Sequence, residues 1–548
     1  MKPFQSDGSF QPIATGNALR RSAVRGAGAA ITGSGANFAL QIGSIVILAR
    51  LLTPADFGIV TMATTFSLLL RSFGLAGFTE FIMQREEVTN ALASNLFWIN
   101  VGIGAILTLA FASSGPLLAL FFHNSAVVNV TRGMSLTIVI GCLGYVHTAL
   151  LRRAMEFRST AIISVVGQVL QYVVSILMAL AGWHYWALVW GSVTQTAVVS
   201  LGAVFVCRWI PKLPHRVSGT ADGFKFGISV YSHFAFSYLT RNTDNLLVGW
   251  RFGDQALGFY KKAYDLFVLP ETQLLAPLST VAVTTLSRVS RNREQFERYF
   301  LRTISVLALV GMGVGADFAL VGSDFIRFLF GPGWDQAGRI FALFGPGIGV
   351  MLLYNTHGWI HLSIGRPERW LRWGVLEFAC TFSLFLLTLR WGPSGVAFAW
   401  TASYFLLMFP AFWYAGKPIG LGIFPMLSAV WKFFAASILA ALATLLIFRA
   451  MPYFTTAFGA RGALIRMVSI SLVFFCLYLG GVVALHKSLK PLNETAGLIR
   501  EVLPERLLRP TIPASANAKV SDAVSRWRNE SNLQPDFATV PDDNRAEL

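Results

Sequence analysis

The sequence predicts an all-α, polytopic membrane protein of about 14 transmembrane helices, arranged as two parallel six-helix lobes plus two extra C-terminal helices. Three observations lead to this: the spacing of long apolar windows, the placement of basic clusters between them, and a repeat that pairs residues 200 positions apart.

Hydrophobic residues fill 54% of the 548 positions and charged residues only 13%, with a mean hydropathy of +0.58. That is more apolar surface than one soluble core buries. A span needs roughly 20 apolar residues, and about fourteen windows of that length recur between 27 and 485 with short breaks. They divide the chain into a cytoplasmic N-terminal segment (1–26), an N-lobe (27–209), a cytoplasmic linker (210–221), a C-lobe (222–416), a final pair of spans (417–487) and a mostly disordered cytoplasmic tail (488–548).

A formal net charge of +17 points to nucleic acid in a soluble protein. Here the Arg and Lys residues stand in short clusters between apolar windows, so no nucleic-acid partner is expected and the clusters mark the cytoplasmic side. Arg20, Arg21 and Arg25 begin the series. Every second loop continues it: Arg85; Arg152, Arg153 and Arg158; Arg208, Lys212 and Arg216; Arg288, Arg291, Arg293 and Arg298; and Arg366, Arg369 and Arg372. The loops around Asn124, Trp183 and Gly392 carry aromatics, Gly and Pro instead, so an even span count places both termini in the cytoplasm. Arg449, Arg461 and Arg466 break the pattern at the last outside turn. Residues 1–26 lack the apolar core of a secretory signal, and the first span is expected to direct insertion without cleavage. Cys142, Cys207, Cys380 and Cys476 show neither CxxC nor Cys/His spacing and read as small core residues.

The repeat is gapless where it is clearest. Residues 48–63 read LARLLTPADFGIVTMA and 248–263 read VGWRFGDQALGFYKKA, so Gly58 meets Gly258 and Ala63 meets Ala263; Leu75 and Ala76 likewise meet Leu275 and Ala276. Leu120, Phe121 and Phe122 resemble Phe328, Leu329 and Phe330 at a slightly larger offset. A repeated unit of about six spans makes the two copies parallel, an architecture suited to alternating access with substrate held between lobes.

The repeat also exposes a polar stripe. Asn37, Gln41 and Ser44 lie at i, i+4 and i+7 on one helix face, and their partners are Ser237, Arg241 and Asp244. Charges at span depth cost about 2.5 to 3.5 kcal/mol each unless they face a bundle interior or water, so both stripes are expected to line a cavity. Arg241 and Asp244, three apart, also fit a purely structural ion pair. Further candidates are Arg71 and Glu80 in the second span, Lys261, Lys262 and Asp265 in the eighth, Asp317 in the ninth, Arg339, His357 and His361 in the tenth, and Glu377 in the eleventh. Lys261 and Asp265 have the spacing of an i, i+4 pair. His357 and His361 share that spacing, but with no further ligand in view they read as a polar helix face, and no metal or cofactor is expected. No phosphate-binding loop, nucleophile elbow, HExxH or dinucleotide fingerprint occurs, so no catalytic residue is assigned.

Residues 49–58, ARLLTPADFG, followed by an apolar span and Phe73, Gly74 and Leu75 up to Gln84, resemble the opening of the polysaccharide transporter family of lipopolysaccharide and exopolysaccharide flippases. The stretch DNLLVGWRFGDQALGFYKKAY around 242–263 is similar to the same family, and the resemblance covers roughly 27–487. It implies the fold shared with multidrug extruders and lipid II flippases, location in a bacterial inner membrane, and an undecaprenyl-pyrophosphate-linked oligosaccharide as substrate. Partners implied are membrane lipid and the polysaccharide polymerase and glycosyltransferases of one pathway. In such a cavity Arg71, Arg241, Lys261 or Lys262 would attract the pyrophosphate. Asn37, Gln41 and Asp244 would complete the substrate site, Tyr238, Tyr260 and Tyr264 could stack on sugars, and Asp244, Glu80, Asp317 and Glu377 are candidates for binding a coupling ion. A multidrug extruder, a peptidoglycan-precursor flippase and a membrane polysaccharide polymerase remain open alternatives. In the tail an amphipathic stretch at 498–508 reads first as a solvated helix, with the inner leaflet or a docked partner as the alternatives.

Overall fold

A computed structural model describes residues 3–10, 35, 37–214, 220–451 and 462–502. The chain divides into two units, Met1–Lys487 and Ser488–Leu548. The described helices of the first are α1 (Asn37–Leu51), α2 (Pro54–Gln84), α3 (Asn90–Ser113), α4 (Gly115–Phe122), α5 (Ala126–Arg153), α6 (Phe157–Leu180), α7 (Trp186–Cys207), α8 (Thr220–Phe267) and α9 (Ala276–Val289). They continue with α10 (Arg293–Phe330), α11 (Asp335–Tyr354), α12 (His357–Ser363), α13 (Pro367–Thr388), α14 (Pro393–Gly416), α15 (Ile423–Arg449) and α16 (Ala463–His486). In the second unit the described helix is α17 (Lys490–Val502). The rest of the tail, most of the amphipathic stretch, Arg216 and Arg461 lie outside the described residues, as do Arg20, Arg21 and Arg25.

The all-α membrane fold is as expected. Among the described residues ten helices are long and apolar enough to cross a membrane, or up to eleven if a bent pair counts as one span, which is fewer than the expected fourteen or so. The count covers the described residues alone, and the upstream part of α1 lies outside them.

Residues equivalent in the repeat break the chain by different chemistry. Thr53 caps α2, accepting from the Asp56 amide while Asp56 accepts from Thr53 in return, and Pro54 occupies the first turn. Gly253 interrupts α8 with φ 80°, a left-handed conformation that L side chains adopt only with strain. The acids near these breaks serve local structure: Asp56 in its capping box, and Asp254 by accepting from Asn124 Nδ2 (3.0 Å) and its neighbour Gln255.

Within the first unit α5 packs on α2, α3 and α7, while α11 packs on α10 and α14. The α10–α11 contact uses small residues: a Cβ on Gly349 would sit 2.6 Å from Gly311 O, and one on Gly315 would sit 2.8 Å from Gly345 O. The pair α15–α16 attaches to α10 through polar ties spaced along one face. Arg466 pairs with Asp324, Ser471 donates to Asp317 (3.0 Å) and Tyr478 donates to Leu309 O (2.8 Å). Of the three dissenting arginines, Arg466 is accounted for by this pairing with the half-buried Asp324. Cys142 and Cys207 are buried as expected, Cys380 is half-buried, and Cys476 is exposed.

One end of the N-lobe gathers Arg85, Arg153 and Lys212. Arg153 donates to Ile82 O, Arg85 O and Glu86 O, and Trp98 donates to Lys212 O. The N-terminal segment docks there: Phe4 lies 6.0 Å from the Trp209 ring, the Arg153 guanidinium covers Phe10, and Asn90 N donates to Gly8 O (2.9 Å). Two phenylalanines in an otherwise polar stretch are the sequence signal for this contact.

Candidate functional site

Helices α2 and α8 meet closely at the Thr53/Gly253 breaks. A Cβ on Gly58 would lie 1.8 Å from Asp254 O, and a Cβ on Gly258 would lie 1.8 Å from Pro54 O. Because 54 pairs with 254 and 58 with 258, one contact is made twice, as a local two-fold axis between the repeats requires. Further bonds tie this end together. Arg50 donates to Phe328 O (2.7 Å) and Leu329 O (3.0 Å), and Trp334 Nε1 donates to Ala49 O (2.8 Å).

Past this contact lies a cavity of about 260 Å³. Its N-lobe side is formed by Gln41 and Ser44 of α1, Thr61 of α2, Gln171 and Tyr172 of α6, and Ser192 of α7; Lys261, Lys262 and Asp265 enter from α8. Lys261 Nζ stands 2.7 Å and Lys262 Nζ 3.7 Å from the Asp265 carboxylate, and Lys262 also covers the Phe57 ring at 4.1 Å. Two ammonium groups against one carboxylate leave a surplus positive charge beside neutral hydrogen-bonding side chains, which is the chemistry of an anion site.

On the other side of the same α8 segment is a cleft of about 330 Å³ between α8, α13 and α14. Arg241, Glu271 and Glu377 line it with Tyr264, Trp400 and Tyr404. Arg241 pairs with Glu271 at 3.1 Å, so the three-residue spacing to Asp244 does not produce an ion pair. Asp244 is fully buried instead, accepting from Tyr260 Oη (2.6 Å), Trp400 Nε1 (3.0 Å) and the Asn245 amide (2.8 Å). Three donors satisfy this carboxylate and fix Tyr260 and Trp400 against α8.

A family model described as "Polysaccharide biosynthesis protein" matches residues 47–339, more than half of the chain, and its span runs across both copies of the repeat. The chain belongs to this family. Among its relatives are the teichuronic acid biosynthesis protein TuaB of Bacillus subtilis (strain 168), 25% identical over 58% of this chain and 67% of its own, and the lipopolysaccharide biosynthesis protein WzxC of Escherichia coli (strain K12), 22% identical over 54% and 61%. The chain thus spans about two thirds or less of the length of each. Among solved structures, the lipid II flippase MurJ in an inward closed conformation superposes with a TM-score of 0.65 at 14% identity, covering 83% of this chain and 99% of that one, which shows a common fold.

In this polysaccharide biosynthesis protein the remaining candidates are dispersed. Arg71 donates to Thr196 Oγ1 (3.2 Å), and Asn37 meets Ser164 (3.4 Å). Glu80 is half-buried near the Arg85 end of α2. Asp317 sits at the α10–α16 contact, away from both pockets, with Oδ1 buried and without a hydrogen-bond partner. Tyr238 stacks on Phe234 at 5.8 Å, Ser237's side chain lies outside the described ones, and Arg339 is exposed. His357 and His361 are buried with ring centroids 6.0 Å apart, and among the described residues no group of three or more His, Cys, Asp or Glu is placed to hold a metal. Sequence reasoning missed Glu271, Asn355 and the α14 aromatics. The repeat itself carried a signal for one of them, because Arg71 and Glu271 are partners at the same 200-residue offset.

Proposed function

We propose that this protein is a flippase. It carries undecaprenyl-pyrophosphate-linked oligosaccharide repeat units across the bacterial inner membrane, for exopolysaccharide or lipopolysaccharide biosynthesis, by alternating access between the lobes 27–209 and 222–416. The observation that carries the reading is the pair Lys261 and Lys262 in a cavity between α1, α2 and α8 within the membrane-spanning unit. The pyrophosphate and sugars cannot enter hydrocarbon without large desolvation penalties, whereas the polyprenyl tail can remain in lipid. A cavity that supplies cationic and hydroxyl partners removes that barrier for the head group alone. Gln41 and Ser44 support the anion from the opposite wall, and both termini lie in the cytoplasm, on the side where Arg85, Arg153 and Lys212 gather. The relatives' names concern the biosynthesis of sugar polymers, which agrees with this substrate class.

The test follows radiolabelled lipid-linked oligosaccharide in right-side-out vesicles from cells lacking the gene. Accumulation on the cytoplasmic leaflet, relieved by the wild-type protein and unrelieved by Lys261→Gln/Lys262→Gln, supports the reading. Normal outer-leaflet delivery without the protein removes this substrate and brings drug extrusion forward, although a surplus of lysine disfavours cationic drugs.

A further inference from the structure

The cleft between α8, α13 and α14 has an uneven set of polar groups. Glu271 is answered by Arg241, one guanidinium for one carboxylate. Glu377 forms no ion pair among the described residues; its hydrogen-bond partner is the neutral Tyr354 hydroxyl, which itself accepts from Trp373 Nε1 at 2.8 Å. Asn355 lines the same cleft, and its Nδ2 is buried without a hydrogen-bond partner. The pocket therefore keeps an acceptor with spare capacity, and in its wall a buried amide N–H without a partner, each of which is expensive when left unmatched within a membrane-spanning unit.

The backbone also departs from a regular helix at this place. Residues Glu271–Leu275 form a single π-helical turn directly after Pro270, and such turns insert an extra residue and re-aim side chains, frequently at functional sites. Here the turn delivers Glu271 to Arg241. The walls are aromatic, with Tyr264, Trp370 and Tyr404 around the polar groups. At about 330 Å³ the cleft falls at the lower end of the roughly 300 to 1,000 Å³ typical of small-molecule sites, room for part of an oligosaccharide.

We propose that this cleft is a carbohydrate site, holding a neutral sugar ring of the transported glycan with its hydroxyls on Glu377 and Asn355 and its C–H face against the aromatic wall. The assignment rests on the flippase reading and divides the head group between two pockets: pyrophosphate at Lys261 and Lys262, sugar at Glu377. The polar groups and the aromatic wall together favour this ligand class. A hydroxyl both donates and accepts, so a sugar answers Glu377 and the Asn355 amide in either orientation, whereas a coupling cation would engage the carboxylate and leave the aromatic wall without a role. An acyl chain would satisfy neither polar group.

The probe is the reducing oligosaccharide released by mild acid from the lipid-linked pool of the producing cells, free of lipid and pyrophosphate. It is titrated against the full-length protein in nanodiscs and read by saturation-transfer NMR. Binding to wild type is expected, weakened at least tenfold by Glu377→Gln and by Trp370→Leu, with thermal unfolding in the same nanodiscs confirming that each variant is folded. Lys261→Gln/Lys262→Gln is expected to keep the sugar signal, since the probe has no pyrophosphate for those lysines to hold. No binding to wild type, or equal binding by folded Glu377→Gln, Asn355→Ala and Trp370→Leu, overturns the assignment while leaving the leaflet experiment to judge the flippase reading. A sodium-dependent stabilisation that Glu377→Gln abolishes, with no response to sugar, overturns it in favour of a cation.

Discussion

Replacing Gly258 with alanine places a methyl group 1.8 Å from Pro54 O and 2.6 Å from Pro54 C, both backbone atoms that no rotamer change can move. Ordinary van der Waals contact begins at 3.4 Å, so α2 and the second part of α8 must separate by about 1.6 Å at the Thr53/Gly253 end. Overpacking a fitted contact costs about 1 to 3 kcal/mol. If the penalty falls only on the state in which the lobes meet here, the balance between closed and open arrangements shifts by roughly 5- to 150-fold. The assay is the labelling rate of a Phe57→Cys reporter, on a background without the four native cysteines, by a membrane-impermeant maleimide; Phe57 is buried against Lys262 and Trp334 in this contact. Gly258→Ala and Gly58→Ala should each speed labelling by about fivefold or more, in keeping with that range. Their combination should add less than the product of the two, because one separation relieves both clashes. Gly102→Ala, with nothing within 4 Å of its Cβ, serves as the control and should leave the rate unchanged. Wild-type labelling rates in both folded glycine variants would show that the reciprocal contact does not govern closure.

Trp334→Phe removes one hydrogen bond across the same end, at about 0.5 to 1.5 kcal/mol, and should raise the reporter's labelling rate less than either glycine variant does, whereas Arg50→Ala removes two and should come close to them. Asp244→Asn replaces one carboxylate acceptor with an amide donor that faces other donors, and thermal unfolding in detergent should report a loss of about 1 to 3 kcal/mol, larger than that of Tyr260→Phe. Arg466→Ala strands Asp324 between α10 and α16 and should lower the unfolding temperature more than the double change Arg466→Ala/Asp324→Ala, since removing both partners leaves no unpaired charge.

The fold was legible because lipid imposes a simple rule: apolar windows long enough to span must be helices, and the basic clusters between them do not depend on packing. The close approach of the lobes was also written in the repeat, as the identical glycines at 58 and 258, but their mutual contact required the folded geometry. The pockets were less legible. Spacing along one helix is consistent with Lys261 pairing to Asp265, which occurs, and equally with Arg241 pairing to Asp244, which does not, because Asp244 finds better-placed donors on Tyr260 and on a helix 156 positions away. Asn355 and Glu377 belong to one cleft only through the packing of α13 and α14 against α8, and no periodicity within a single helix encodes that neighbourhood.

The repeat also separates what duplication supplied from what divergence added. Gln41, Ser44, Thr61 and Arg71 in the N-lobe stand where the C-lobe has Arg241, Asp244, Lys261 and Glu271, so equivalent positions carry a different electrostatic load in each copy. The Arg241–Glu271 pair is the divergence easiest to probe. Arg241 opens to the cleft while Glu271 is mostly buried, and a pair that is only a structural tie should be restored by the charge swap Arg241→Glu/Glu271→Arg. A cleft that recognises substrate depends on which wall presents the guanidinium, so the swap should recover thermal stability and yet leave translocation in vesicles as low as in either single variant. Recovery of both would reduce the pair to a tie between α8 and the π-helical turn, and would leave Glu377 and Asn355 as the groups that read the sugar.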